Sequence, residues 1–247
     1  RFSADHGATV INMSLGGPFP SASLEDAVTY AHRKGTIVVC AAGNSNTPRK
    51  EYPAGFDKAV SVSSVGMEGK RAFYSNHGDS ISFAAPGGDT KGYGEAGGVL
   101  QNTIMPRNHR QSDYYFFQGT SMAAPHAAGV AALVASTGVT NPDAIERVLQ
   151  KSAVPVDAPP QEGYGAGILN AKNAVNLSGV IYKAITLGLG LLFCLIAGVS
   201  MLRRKALHHF ILMLPPAVLA SSGFFFLPVL FPGNVAWCNM WTLGLPS

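Results

Sequence analysis

The chain has 247 residues, 47% of them hydrophobic and 13% charged. That excludes a disordered or collagen-like polypeptide and leaves room for one large domain or two ordinary ones. The net charge of +4 does not point to nucleic acid: charges balance up to Lys172, and the excess is Lys183, Arg203, Arg204 and Lys205, beside or between apolar runs. Three cysteines (Cys40, Cys194 and Cys238) cannot build a disulfide framework. The chain opens on Arg1 and runs almost at once into an interior-type strand, so it reads as the C-terminal part of a longer polypeptide.

Four short apolar segments read as strands: residues 9–12, 36–41, 59–65 and 80–84. Between the first two, Leu24, Ala27, Val28 and Ala31 recur at helical spacing, with Lys34 in the last turn and Gly35 as a stop. The stretch 86–116 is rich in glycine and polar residues and reads as a long loop, either facing a substrate or simply on the surface. Residues 121–136 form a small-residue helix suited to close burial among strands. Asn141 and Pro142 open the next helix, as N-cap and first helical residue. Strands alternating with helices predict an α/β fold with a mainly parallel sheet covered on both faces.

Composition shifts near residue 180, which divides the chain into 1–179 and 180–247. Residues 184–202 are 19 positions without a charge, and 210–231 are 22 more, interrupted by Pro215, Pro216 and Pro228. At about 1.5 Å per residue each is long enough to cross a hydrocarbon layer of about 30 Å. The loop between them carries Arg203, Arg204, Lys205, His208 and His209. Short basic loops stay cytoplasmic, so a two-span hairpin would put residues 1–179 and the C-terminus outside, with Trp237 and Trp241 in an interfacial belt. Membrane lipid is therefore an expected partner and nucleic acid is not.

The sharpest local signal is Gly119-Thr120-Ser121-Met122-Ala123-Ala124-Pro125-His126. A Gly-Thr pair delivers Ser121 to the first turn of a helix, where backbone N–H groups lack partners and the dipole favours negative charge. An acyl-transfer nucleophile needs that environment. An isolated serine there would equally serve as an N-cap.

Around this octapeptide the chain resembles the subtilisin-like serine proteases, the subtilases, from about residue 8 to 175. The resemblance rests on Val10-Ile11-Asn12-Met13-Ser14-Leu15-Gly16-Gly17, then Ala41-Ala42-Gly43-Asn44, then Tyr52-Pro53-Ala54, then the serine motif. It implies a three-layer αβα fold and a serine endopeptidase acting on polypeptide. Ser121 would be the nucleophile, and Asn44 would donate its side-chain amide to the oxyanion. Ser14, Leu15 and Gly16 would form the edge on which substrate adds as a strand. Ala41, Ala42 and Gly43 would wall the S1 pocket. Glu51 would fall near its base: pointing in, it would favour Lys or Arg at P1; pointing out, it is an ordinary surface acid.

The resemblance also calls for an Asp and a His upstream of Ser121. His6 lacks the family pattern. His32 sits on an amphipathic helix, His77 and His109 in loops, and His126 matches a structural family position. The chain alone is therefore expected to be inactive. No metal site or cofactor is expected; Asp89 and Asp113 are the acids available if structural calcium is used. The alternative reading is a membrane-tethered pseudoprotease that binds peptides without cutting them.

Overall fold

The computed structural model describes residues 1–105 and 108–203. The chain divides into two compact units, Arg1–Leu177 and a second that begins at Ser178. In chain order the first holds α1 (Phe2–Asp5), β1 (Val10–Met13), α2 (Ala22–Arg33), β2 (Ile37–Ala41), β3 (Ala59–Val65) and β4 (Phe83–Pro86). Then come α3 (Thr90–Tyr93), β5 (Val99–Met105), β6 (Asn108–Phe117), α4 (Thr120–Ser136) and α5 (Pro142–Ser152). The last helix, α6, runs Ala171–Arg203.

Strands β1 to β4 pair in sequence order, all parallel, with Val10 opposite Ile37, Val38 opposite Ala59 and Val62 opposite Phe83. The two-residue period of a strand sorts β2 between two cores. Ile37, Val39 and Ala41 join Ala127, Ala131, Val134 and Leu149 on one face; Val38 and Cys40 join Val28, Ala31 and Phe56 on the other. Both faces are covered, which is why β2 reads as an unbroken apolar run. Burial pushes the Cys40 thiol up to about 12, so it acts as a small hydrophobe.

Helix α4 crosses under all four strands. Ala123, Ala124, Ala127 and Ala131 are fully buried along it, and only methyl-sized side chains allow so close an approach. Asn141 caps α5, its Oδ1 accepting from the Ala144 N–H at 3.0 Å, with Pro142 in the first turn. Asn170 caps α6 in the same way, accepting from the Asn173 N–H at 2.9 Å.

The structure corrects the sequence reading in two places. The fourth strand begins at Phe83, not 80, because Gly78–Ile81 is a turn closed by the Ile81 N–H on the Gly78 carbonyl. The stretch read as loop contains the antiparallel hairpin β5–β6, with Leu100 opposite Phe116 and Asn102 opposite Tyr114. Its apolar side chains Leu100, Ile104 and Tyr114 stay exposed, so no buried stripe advertised it.

Helix α6 continues through the first predicted span. Among the described residues, no helix is long and apolar enough to cross a membrane. The second predicted span, 210–231, and the basic loop before it lie outside the described residues.

Helix α5 also carries Glu146, whose Oε1 accepts from Ser82 Oγ at 3.3 Å and Gln150 Nε2 at 3.1 Å. Burial raises its carboxyl above the ordinary range, and neighbouring Asp143 adds to this; the Ser82 hydroxyl, His32 and Lys58 oppose it. A raised folded value means the protonated form stabilises the fold, fully at acid pH, and that this is lost as pH rises through the folded value. In Glu146→Gln the amide oxygen keeps both hydrogen bonds without the charge. Its urea midpoint should exceed that of the parent at about pH 8, and the gap should close toward about pH 4.

Candidate active site

The site lies where the carboxyl ends of β1 and β2 meet the N-terminus of α4, the usual place for a ligand in a parallel sheet. Gly119 makes the turn into α4 at φ +152°, a backbone that L side chains rarely adopt, and its N–H donates to the Gly87 carbonyl at 2.9 Å. Thr120 follows, fully buried. Its Oγ1 accepts from the Gly43 N–H at 3.1 Å and donates to Asn44 Oδ1 at 2.9 Å, while its own N–H donates to that same Oδ1 at 2.9 Å.

Those bonds orient Asn44. With Oδ1 held by two donors, the amide flip is decided by the network, and Nδ2 is left to donate elsewhere. The Ser121 N–H, in the first turn of α4, has no acceptor among the described residues. Two uncharged donors are thus unspent beside one hydroxyl, the arrangement that stabilises a developing oxyanion. Ser121 is not an N-cap; it is the second residue of α4, and Gly119 stands at the cap.

Pro125 links the helix to β1. A proline has no N–H for the carbonyl four residues earlier, here that of Ser121. The Ser14 hydroxyl donates to that carbonyl at 2.7 Å and itself accepts from Asn12 Nδ2 at 3.0 Å. The Ser121 hydroxyl donates back to the Ser14 carbonyl at 3.3 Å. The segment after β1 is therefore tied to the serine from both sides.

A cleft of about 250 Å³ opens here, lined by Leu15, Gly16, Ala41, Gly43, Asn44, Ser45, Glu51, Thr120 and Ser121. Ala42 does not line it: alternation along the strand turns it away, and its carbonyl accepts from Asn76 Nδ2 at 2.9 Å. Asn76 and Thr120 are the residues that sequence reasoning missed. Thr120 was legible as part of the serine motif, but its buried partner Gly43 lies 77 positions away.

The histidines are engaged elsewhere. His32 pairs with Asp143 at 2.9 Å, His77 Nδ1 meets the Gln161 carbonyl at 3.0 Å, and His126 Nδ1 meets the Met122 carbonyl at 2.8 Å. Among the described residues no histidine ring bonds to Ser121. Nor do they contain a cluster of three metal-ligating side chains. Asp89 caps α3 through the Lys91 and Gly92 N–H groups, and Asp113 accepts from the Tyr114 N–H.

Residues 1–167 match the profile of the Subtilase family. The chain belongs to that family. It is 34% identical over 184 residues to thermitase of Thermoactinomyces vulgaris, covering 74% of this chain and 56% of that protein. It is 38% identical over 172 residues to an extracellular protease of Xanthomonas campestris pv. campestris, covering 68% of this chain and 28% of that protein. Among solved structures, a protease of Pseudoalteromonas arctica PAMC 21717 superposes with a TM-score of 0.64 at 40% identity, over 69% of this chain and 51% of that one. The patellamide maturation protease PatA superposes at 0.60 and 26% identity, over 72% of this chain and 65% of its own. The subtilase chain described here thus spans about half the length, or less, of several of the curated relatives it matches.

Thr120 gives a direct test of this framework. Thr120→Val keeps the volume but leaves the buried Gly43 N–H without its acceptor, at an expected cost of about 1–3 kcal/mol in urea unfolding. Thr120→Ser, which restores the hydroxyl, should recover most of it.

Proposed function

We propose that this chain carries the nucleophile, the oxyanion donors and the substrate strand of a serine endopeptidase. The observation that carries the reading is the Asn44 amide, locked by Thr120 so that Nδ2 is free beside Ser121. Ser121 Oγ attacks the scissile carbonyl carbon as its proton passes to a base. The carbonyl oxygen gains the charge and accepts from Asn44 Nδ2 and the Ser121 N–H. Collapse, with the base handing its proton to the leaving nitrogen, expels the amine and leaves an acyl-enzyme on Ser121, which water hydrolyses. The segment Ser14–Gly16 aligns the substrate backbone as an added strand. The reading needs a histidine base and an orienting carboxylate in addition to the described residues.

The same reading makes residues 180–247 a two-span anchor, with spans 184–202 and 210–231 and the peptidase unit on the outer side of a cytoplasmic or plasma membrane. Its support is the two uncharged runs and the basic loop between them. Leu189, Leu192, Ile196 and Val199 add to it: they recur at helical spacing along α6 and are each about half-exposed. A peptide-binding pseudoprotease is the second reading, favoured by the Ser121 hydroxyl being spent on the Ser14 carbonyl.

A fluorophosphonate probe separates the two, because it reacts only with an activated serine. The full-length protein in membranes should label, and Ser121→Ala should not. Asn44→Ala should slow labelling by about 10²–10³-fold, the magnitude known for the corresponding donor in subtilisin. Absence of labelling in the parent would favour the pseudoprotease. For the anchor, cysteines placed in the loop 203–209 should resist a membrane-impermeant thiol reagent added outside intact cells; modification there would reverse the orientation.

A further inference from the structure

We infer that Glu51 makes the cleft select a basic side chain at P1, the substrate residue whose carbonyl is attacked, with lysine ahead of arginine. This rests on the peptidase reading and adds a substrate class to it. Glu51, Asn44 and Ser121 line one cleft, so a peptide whose carbonyl lies between Ser121 and Asn44 has its adjoining side chain in the space that Glu51 faces.

The carboxylate is held in that position. Its Oε1 accepts from Ser45 Oγ and from Asn76 Nδ2, each at 3.0 Å. Asn76 is only 1% exposed and is itself pinned, donating to the Ala42 carbonyl at 2.9 Å and accepting from the Ser45 and Thr47 N–H groups. A side chain fixed by neighbours that are fixed in turn presents its charge without further ordering cost.

The other oxygen is uncommitted. No side chain or backbone group among the described residues donates to Glu51 Oε2, and no Lys or Arg among them pairs with Glu51. The walls beside it are bare backbone: a Cβ on Gly43 would fall 2.6 Å from Oε2, and one on Gly16 3.5 Å from it. Gly43 lets Glu51 and Asn76 pack against the backbone, and Gly16 leaves the space beside Oε2 free of a side chain. An apolar side chain there would strip water from an unpaired carboxylate, and an acidic one would be repelled.

Oε1 already accepts twice, so a two-pronged guanidinium–carboxylate pair is not available without breaking a bond to Ser45 or Asn76. The compact ammonium of lysine needs only Oε2. Lysine therefore leads arginine.

The test uses peptides that differ only at P1, as Lys, Arg, Leu or Glu, read in two ways on the full-length protein. One is kcat/KM; the other is affinity for the Ser121→Ala variant by fluorescence anisotropy. Lys should exceed Leu by about 10- to 100-fold in both, the scale of a hydrogen bond to a charged group. Glu51→Gln should lower the Lys-to-Leu ratio by a similar factor. Gln retains an Oε1 that can accept from Ser45 and Asn76, and an unchanged melting temperature would confirm that the loop survives. In the parent, raising salt from about 0.05 to 1 M should narrow the preference with no substitution at all. Leu binding Ser121→Ala as well as Lys does, or a ratio unmoved by Glu51→Gln, would overturn the inference. Arg preferred tenfold over Lys would overturn the single-oxygen geometry. If the parent cuts none of the peptides while Ser121→Ala still prefers Lys, the endopeptidase reading fails and the specificity stands.

Discussion

The buried hydroxyl of Thr120 is the contact on which the site depends. One oxygen accepts from the Gly43 backbone and donates to the Asn44 side chain, tying the start of α4 to the end of β2. Deep burial leaves no water to substitute for either bond, so the helix start cannot drift without orphaning a donor and an acceptor. Everything functional in the site follows from this registration. It turns the Asn44 oxygen inward and the nitrogen outward, and it brings Ser121 level with the segment that follows β1. Pro125 adds a second tie by leaving the Ser121 carbonyl open to the Ser14 hydroxyl.

Packing beneath the site serves the same end. The buried alanines of α4 let its axis lie close under the sheet, with its N-terminus at the carboxyl ends of β1 and β2. Small residues recur on the cleft wall for a different reason. At Gly43 the φ of +111° disfavours any side chain, and a Cβ would also lie 2.2 Å from Asn76 Nδ2. That position is bare so that Asn76 and Glu51 can meet behind it. One buried amide thus orders the pocket loop as one buried hydroxyl orders the Asn44 side chain.

Much of this was legible in the chain. Strand β2 stands out as a short apolar run because burial on both faces removes polar alternation, and the serine motif carries its own turn, helix and proline. The hairpin β5–β6 was not legible, since its apolar residues face outward and form no stripe against a core. Asn76 was silent because asparagine in a polar loop is unremarkable until its four partners are known. Histidines were informative mainly by elimination: His32 and His77 find partners in other segments, and His126 is held by the Met122 carbonyl of its own helix.

The sequence by itself determined the α/β class and the family resemblance, and it singled out Ser121 and Asn44 as candidates, because these rest on local patterns that survive without knowledge of distant contacts. It also placed the apolar runs after residue 180 by their lack of charge alone. Only the tertiary structure decided which way Glu51 points, which atom of Asn44 is free, and that Ala42 turns from the cleft while Ala41 and Gly43 line it. Each of those depends on hydrogen bonds between segments up to 77 positions apart. The direction of a polar side chain is set by whichever donor or acceptor the fold brings within about 3 Å, and that neighbour is not written beside it in the chain.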